Sequence, residues 1–260
     1  MIISRTPFRI SFFGGGTDYP AWYQEHGGAV LATTIDKYCY LSCRYLPPFF
    51  EHKYRVVYSK IDCTETVAQI SHPAARAILA HLHCDRGMEI HHDGDLPARS
   101  GMGTSSSFTV GLLHALHALR GRVPAKIELA REGILVEQEL LHEAVGSQDQ
   151  VSAAFGGFNH IVFQPNGEIA VNPLTISRAR LTELNDHLML FYTGIKRTSS
   201  DISASYIHSL ANKQNELGAI QALVGESLKL LGSQRDLAEF GKLLHPHLDK
   251  VLVIDYVAKE

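Results

Sequence analysis

The stretch from Leu96 to Phe108 places Gly101 and Gly103 directly ahead of a run of hydroxyls, Thr104 to Ser107. Glycine at those two positions lets the backbone take positive φ and approach a ligand closely. Phe108, Leu112, Ala115 or Leu116, and Leu119 then recur at three- and four-residue spacing, so a helix begins where the hydroxyls sit. The unpaired N–H groups of its first turn and the positive end of its dipole favour an anion. The hydroxyls can cap the helix, bind phosphate oxygens or hold a metal. No lysine occurs between Leu96 and Arg122, which excludes a Walker loop. The charge of a bound nucleotide must then be balanced by the helix terminus and a divalent cation. A Gly/Ser-rich turn that only caps a core helix fits the same residues equally well.

Three further groups have the types and surroundings that chemistry uses. Arg9 shares a strand face with Ser11, opposite Phe8, Ile10 and Phe12, just before Gly14, Gly15 and Gly16 break the strand and Thr17 and Asp18 follow. A glycine turn with an Asx cap explains Asp18, but not an arginine held away from the apolar side of its own strand. Glu137 falls on an apolar helical stripe with Ile127, Ala130, Ile134, Leu141 and Ala144. A buried carboxylate is costly unless it is paired or coordinates a metal. Asp149 lies just past Gly146, at a glycine-marked turn. One carboxylate on a buried stripe and one at a turn suit a metal ligand and a proton acceptor respectively. An N-cap for the segment that follows is the plainer role open to Asp149. Farther on, Thr193 to Ser200, with Lys196 and Arg197, forms a basic, hydroxyl-rich loop that suits a phosphate or a solvated turn.

The elements that must position these groups follow from periodicity. Strands are expected over Ile2 to Phe13, Ala29 to Tyr45, Tyr54 to Ser59 and Met88 to His92, with a short helix around Pro73 to His83, so the first third is β-rich. After the cradle helix comes a long helix from about Lys126 to Val145, ending at Gly146. A hairpin is expected over Phe158 to Leu174, with Asn166 and Gly167 supplying the turn. A strand over Leu188 to Tyr192 precedes a helix from about Asp201. Helical pattern continues through Leu237 to Lys250, and Val251 to Val257 reads as a closing strand.

Composition narrows the partners. The 260 residues, 45% of them hydrophobic, allow a large core in one large or two modest domains. A net charge of -3 with scattered Lys and Arg gives no footprint for nucleic acid or an anionic membrane. The chain opens without a long apolar segment and holds no apolar run of about 18 residues, so the expected location is cytoplasmic. Cys39, Cys43, Cys63 and Cys84 read as reduced structural thiols, since no second close ligand pair supports zinc on Cys39 and Cys43 with His91 and His92.

The chain as a whole resembles the GHMP kinases, the superfamily of galactokinase, homoserine kinase and mevalonate kinase. Pro7 to Ile10 with Gly14 to Tyr19 is similar to its first motif, Leu96 to Phe108 to its second, and Gly146 to Gln150 to its catalytic-aspartate segment. Within the superfamily, Thr6 to Tyr19 and the triple serine after Thr104 look most similar to the bacterial D-glycero-D-manno-heptose 7-phosphate kinases. The resemblance runs from Met1 to roughly Leu244. It implies an α+β two-domain fold, with a β-rich N-terminal domain of the ribosomal protein S5 domain 2-like type over 1–172 and a smaller α+β C-terminal domain over 173–260. The implied reaction transfers the γ-phosphoryl group of ATP to the anomeric hydroxyl of the heptose 7-phosphate, giving the 1,7-bisphosphate for nucleotide-heptose biosynthesis.

The resemblance also implies roles. Arg99, Ser100, Gly101, Met102, Gly103, Thr104, Ser105, Ser106 and Ser107 would wrap the ATP phosphates, with Ser105 and Glu137 holding Mg2+. Asp149 would accept the proton of the sugar hydroxyl and Arg9 would stabilise the attacking oxygen. Arg9, Gly15, Gly16, Thr17 and Asp18 would bind the sugar, and Lys196 or Arg197 would hold its existing phosphate. Implied partners are a small-molecule sugar phosphate and ATP, not nucleic acid or membrane, and a homodimer is compatible. The superfamily's third glycine-rich motif has no counterpart after Gly157, so the C-terminal domain is expected to be incomplete. Alternatives are a kinase for another sugar such as fucose or galactose, or a non-catalytic relative that binds sugar and nucleotide.

Overall fold

The computed structural model describes residues 1–98, 100–190 and 213–244. They group into two compact units that interleave along the chain. Residues 1–9, 34–145 and 149–156 form the first, and 10–33, 146–148 and those from 157 onward form the second. Among the described residues seven strands pair in the order β4 (Ile61–Thr64), β3 (Tyr54–Val57), β5 (Met88–Gly94), β2 (Gly28–Tyr45), β6 (Phe158–Phe163), β7 (Ile169–Pro173), with β1 (Ile2–Phe13) pairing with β2 off this path.

In the first unit the long strand β2 (Gly28–Tyr45) alternates buried Cys39, Leu41 and Cys43 with more open Tyr38, Tyr40 and Ser42, the period of a strand with one covered face. It runs antiparallel to β5 (Met88–Gly94), with Cys43 opposite Ile90. The short strand β3 (Tyr54–Val57) runs parallel to β5 and antiparallel to β4 (Ile61–Thr64). The apolar faces meet α2 (Pro73–His81), α3 (Thr104–Leu119) and α4 (Lys126–Ile134): Leu41, Val56 and Ile90 share one buried cluster with Ile78, Leu79, Leu112, Leu113 and Leu116. Such burial supplies most of a helix's stability, which propensity alone does not. A side chain at Gly111 would put its Cβ 2.6 Å from the Thr6 hydroxyl of β1 (Ile2–Phe13), so α3 lies as close to β1 as glycine permits. That contact brings the first turn of α3 near Arg9.

In the second unit, Gly28–Thr33 of β2 pairs with β6 (Phe158–Phe163), which returns as β7 (Ile169–Pro173) through the Asn166-Gly167 turn. Phe12 and Phe13 each meet Phe240 edge-on, at ring-centre distances of 5.4 and 5.2 Å, in a core with Leu31, Leu184, Val224 and Leu230. The helices here are α1 (Pro20–His26), α6 (Arg178–Asp186) and α7 (Gln214–Leu231), with further helical residues over 238–244.

Two expectations change. The helix expected over Lys126 to Val145 is α-helical only to Ile134. Leu135–Leu140 widens into a π-turn, closed by Leu141 N–H to Val136 C=O at 2.9 Å, and 141–147 is irregular. Side-chain periodicity cannot register this change, because one extra residue per turn still leaves Val136 and Glu137 facing inward. The strand expected over Leu188 to Tyr192 is not formed at 188–190, which follow the end of α6 without regular pairing. Tyr192, the helix expected from Asp201 and the closing strand over Val251 to Val257 lie outside the described residues.

Candidate active site

The cradle forms as its residues require. Gly101 and Gly103 take φ of +77° and +70°, the left-handed region, and Gly103 caps α3, so the chain turns sharply into the helix at Thr104. Thr104 and exposed Ser105 occupy the first turn, where backbone N–H groups are available to an anion. The Ser100 hydroxyl is buried without a hydrogen-bond partner among the described residues, an unspent donor at the cradle's edge. Met102 joins the core and its carbonyl accepts Arg9 N–H at 3.2 Å. Ser107, expected to face ATP, is buried and donates to the Pro7 carbonyl at 2.9 Å, so it ties α3 to β1 instead. Arg99, Lys196 and Arg197 lie outside the described residues.

Directly beside the cradle, Arg9 and Asp149 meet across 140 residues of sequence. Nε and Nη2 of Arg9 each donate 2.7 Å bonds to Oδ1 and Oδ2 of Asp149, and Nη1 donates to the Gly101 carbonyl at 3.1 Å. The paired donors match carboxylate geometry and fix the Asp149 rotamer. A Cβ on Gly103 would lie 3.2 Å from Arg9 Cγ and 3.4 Å from Asp149 Oδ2, so the second cradle glycine sits directly on the pair. Asp149 stands in the first turn of α5 (Gln148–Phe155).

Glu137 is 1% exposed, as its place on an apolar stripe requires. Ser106 Oγ donates to its Oε2 at 2.8 Å, and the Gln150 carboxamide donates to the same oxygen. Burial pushes its pKa up to about 7 against the pull of these neutral donors, and the nearby Glu143 charge adds to the rise. Oε1 of Glu137 is buried with no hydrogen-bond partner among the described residues. A buried carboxylate with one spent and one unspent oxygen fits a divalent cation. Among the described residues no three His, Cys, Asp or Glu side chains form a metal cage. The hydroxyl that reaches Glu137 is Ser106, one residue beyond Ser105: the helical phase turns Ser106 inward and leaves Ser105 outside.

The glycine loop of the second unit behaves differently from expectation. Thr17, expected to touch sugar, is fully buried. Its hydroxyl donates to the Gly14 carbonyl at 2.8 Å and accepts Ala29 N–H at 3.1 Å, locking the turn to β2. Asp18 is 1% exposed; Oδ1 accepts Gly16 N–H at 3.0 Å and Oδ2 accepts Gln148 N–H at 3.1 Å. A Cβ on Gly146 would fall 2.0 Å from Oδ2, so only glycine lets the Gly146–Gln148 backbone approach. Both side chains are consumed in shaping the loop. Nothing in the sequence marks Ser106 or Gln150 as a partner of Glu137. Gln150 is fully buried, and nothing local in the sequence marks that position.

The fold, an anion cradle backed by an Arg–Asp pair, and a cation-ready glutamate beneath it define a phosphoryl-transfer architecture, and residues 67–157 match the GHMP kinases N terminal domain. Those residues identify a GHMP kinase N-terminal domain within the chain. Over 240 residues it is 28% identical to D-glycero-alpha-D-manno-heptose 7-phosphate kinase of Campylobacter jejuni, covering 88% of this chain and 70% of the relative. It is 23% identical to galactokinase of Pyrococcus furiosus over 255 residues, covering 93% of this chain and 64% of that one. The crystal structure of a D-glycero-D-manno-heptose 1-phosphate kinase from Bacteroides thetaiotaomicron shares its fold, with a TM-score of 0.78 at 24% identity, over 100% of this chain and 82% of the other. No helix among the described residues is long and apolar enough to cross a membrane.

Proposed function

We propose that the protein is an ATP-dependent sugar kinase acting on D-glycero-D-manno-heptose 7-phosphate at its anomeric hydroxyl, in the cytoplasm, with a domain division near residue 172. The Arg9–Asp149 pair under Gly103 is the observation that carries the kinase reading. It places a rigid carboxylate next to an anion cradle, and each oxygen that accepts an arginine N–H keeps a lone pair for a hydroxyl proton. In the reaction the acceptor oxygen forms the new P–O bond, its proton passes to Asp149, and the bond from the γ-phosphorus to the ADP oxygen breaks. Arg9 orients Asp149 and offsets charge gathering at the attacking oxygen. The α3 terminus with Thr104 and Ser105 holds phosphate oxygens, and Ser100 offers a further donor. Glu137 and Ser106 are the residues that would hold Mg2+, which supplies charge neutralisation to the triphosphate when bound. The heptose acceptor rests on the similarity to the Campylobacter enzyme.

The test is ATP consumption with Mg2+ against heptose 7-phosphate, heptose 1-phosphate, galactose, fucose, mannose and no sugar, run beside Asp149→Asn. Turnover with heptose 7-phosphate alone, lost in the variant by about a hundredfold or more, supports the proposal. Turnover with galactose or fucose replaces the substrate and keeps the mechanism. Absence of turnover with every sugar overturns the enzyme reading.

A further inference from the structure

With Asp18 spent on backbone N–H groups, the polar group left over beside the glycine loop is the side chain of Gln148. It is 9% exposed, and its backbone N–H donates to Asp18 Oδ2 at 3.1 Å. Its carboxamide Oε1 is buried without a partner. The carboxamide lies against the middle glycine of the loop: a Cβ on Gly15 would be 3.6 Å from Gln148 Nε2 and 3.9 Å from Ser11 Oγ. The main chain that carries it is pinned, since Ser147 N–H donates to the Asp18 carbonyl at 2.9 Å and Gly146 abuts the Asp18 carboxylate. A buried carboxamide oxygen without a partner is costly in the free protein, and a ligand hydroxyl would satisfy it. The amide has both an acceptor and donors, the complement of a vicinal diol and not of a phosphate.

We infer that Gln148 is a specificity-determining contact to hydroxyls of the acceptor sugar, with Asp18 as the residue that positions it. This rests on the sugar-kinase reading. Asp18 acts through Gln148, holding its backbone, and Gly15 keeps the approach to the carboxamide open. Gln148 precedes Asp149 directly, so a sugar held by its hydroxyls at Gln148 is held by the residue next to the proton acceptor.

The test compares wild type with Gln148→Met, which keeps the length and removes the hydrogen bonds, and with Gln148→Asn, which withdraws the carboxamide by one methylene. The acceptor is the panel sugar that wild type turns over best, or, without turnover, the one that raises its melting temperature most. The expected result is an acceptor KM, or binding constant, weakened about ten- to hundredfold in both variants, with the KM for ATP unchanged. The melting temperature of free Gln148→Met should equal or exceed that of wild type, because an unpaired buried amide is removed. Deoxy analogues of the same sugar add a second readout: the analogue lacking the contacted hydroxyl binds wild type as weakly as Gln148→Met binds the parent, and loses nothing further in that variant. Wild-type turnover with unchanged acceptor KM in both variants overturns this inference and leaves the kinase reading standing. A lower melting temperature of free Gln148→Met with unaltered sugar affinity assigns the amide to structure and also overturns it. Failure of every panel sugar to bind wild type removes both readings.

Discussion

Glu89 and Glu137 are both buried carboxylates of the first unit, 4% and 1% exposed, yet their surroundings are opposite. Glu89 lies on β5 among cations: Arg44 reaches its Oε2, Arg55 donates to Oε1 at 3.0 Å and His91 meets Oε1 at 3.0 Å. Burial alone would raise its pKa, but the hydrogen bonds from His91 and Arg44 and the Arg44 charge outweigh it and hold the pKa below the ordinary value. Glu137 has only neutral donors, an unspent oxygen and a pKa pushed up to about 7 by burial. A carboxylate whose cations come with the fold is finished when the chain has folded. One buried against hydroxyls and an amide carries a cost that an incoming cation can lift.

Substitution should separate the two most sharply in activity. Glu137→Gln is expected to lower kcat/KM by about a thousandfold, while Glu89→Gln leaves it within about twofold. In stability the signs should reverse. Glu137 has a folded pKa above its unfolded one, so its ionisation penalty is absent below pH 4.5, grows as pH rises and is complete above pH 7. Metal-free Glu137→Gln should therefore be more stable than wild type at pH 8 by about 3 kcal/mol and match it near pH 4, as read from urea midpoints. Magnesium at about a hundred times its Kd should stabilise wild type at pH 8 by about 2–3 kcal/mol and leave Glu137→Gln unmoved in calorimetry.

Glu89 has a folded pKa below 4.5, so its contribution is present above that pH and is lost as pH falls through the folded value. Glu89→Gln should cost about 2 kcal/mol at pH 7, moderated because Arg44 and Arg55 can turn to water, and should shrink in acid. The smallest effect is Ser106→Ala, which removes one donor from Glu137. It should raise that carboxyl's pKa further and cost about 1 kcal/mol at pH 8, visible as a steeper loss of stability between pH 4.5 and 8.

The contrast between these two glutamates was only half legible in the sequence. Glu137 stood out because a charge on a 3.6-residue apolar stripe has nowhere to go but inward. Glu89, alternating with Met88 and Ile90, reads as a solvent-facing strand residue, and its burial comes from Arg44 and Arg55 on neighbouring strands. Gly101 and Gly103 were legible because φ demands them, and the cradle helix because its apolar spacing is long. The Arg9–Asp149 bond spans 140 residues and leaves no local mark. Choosing Ser105 over Ser106 required the phase of α3 relative to Glu137, which depends on where the Gly103 turn ends and on the π-turn at 135–140. The turn residues around Asp18 suggest an Asx cap and leave its burial unmarked; the glycine at 146 that abuts its carboxylate lies 128 residues away along the chain.

The most direct test is the titration of the Glu137 carboxyl carbon by NMR, assigned with Glu137→Gln, in free protein and with Mg2+ and ATP. The expected midpoint is near 7 in the free protein, falling below the ordinary glutamate value when magnesium and ATP are added. A midpoint at the ordinary value in free protein, or one that magnesium and ATP leave in place, would contradict the assignment of Glu137 as the waiting cation ligand.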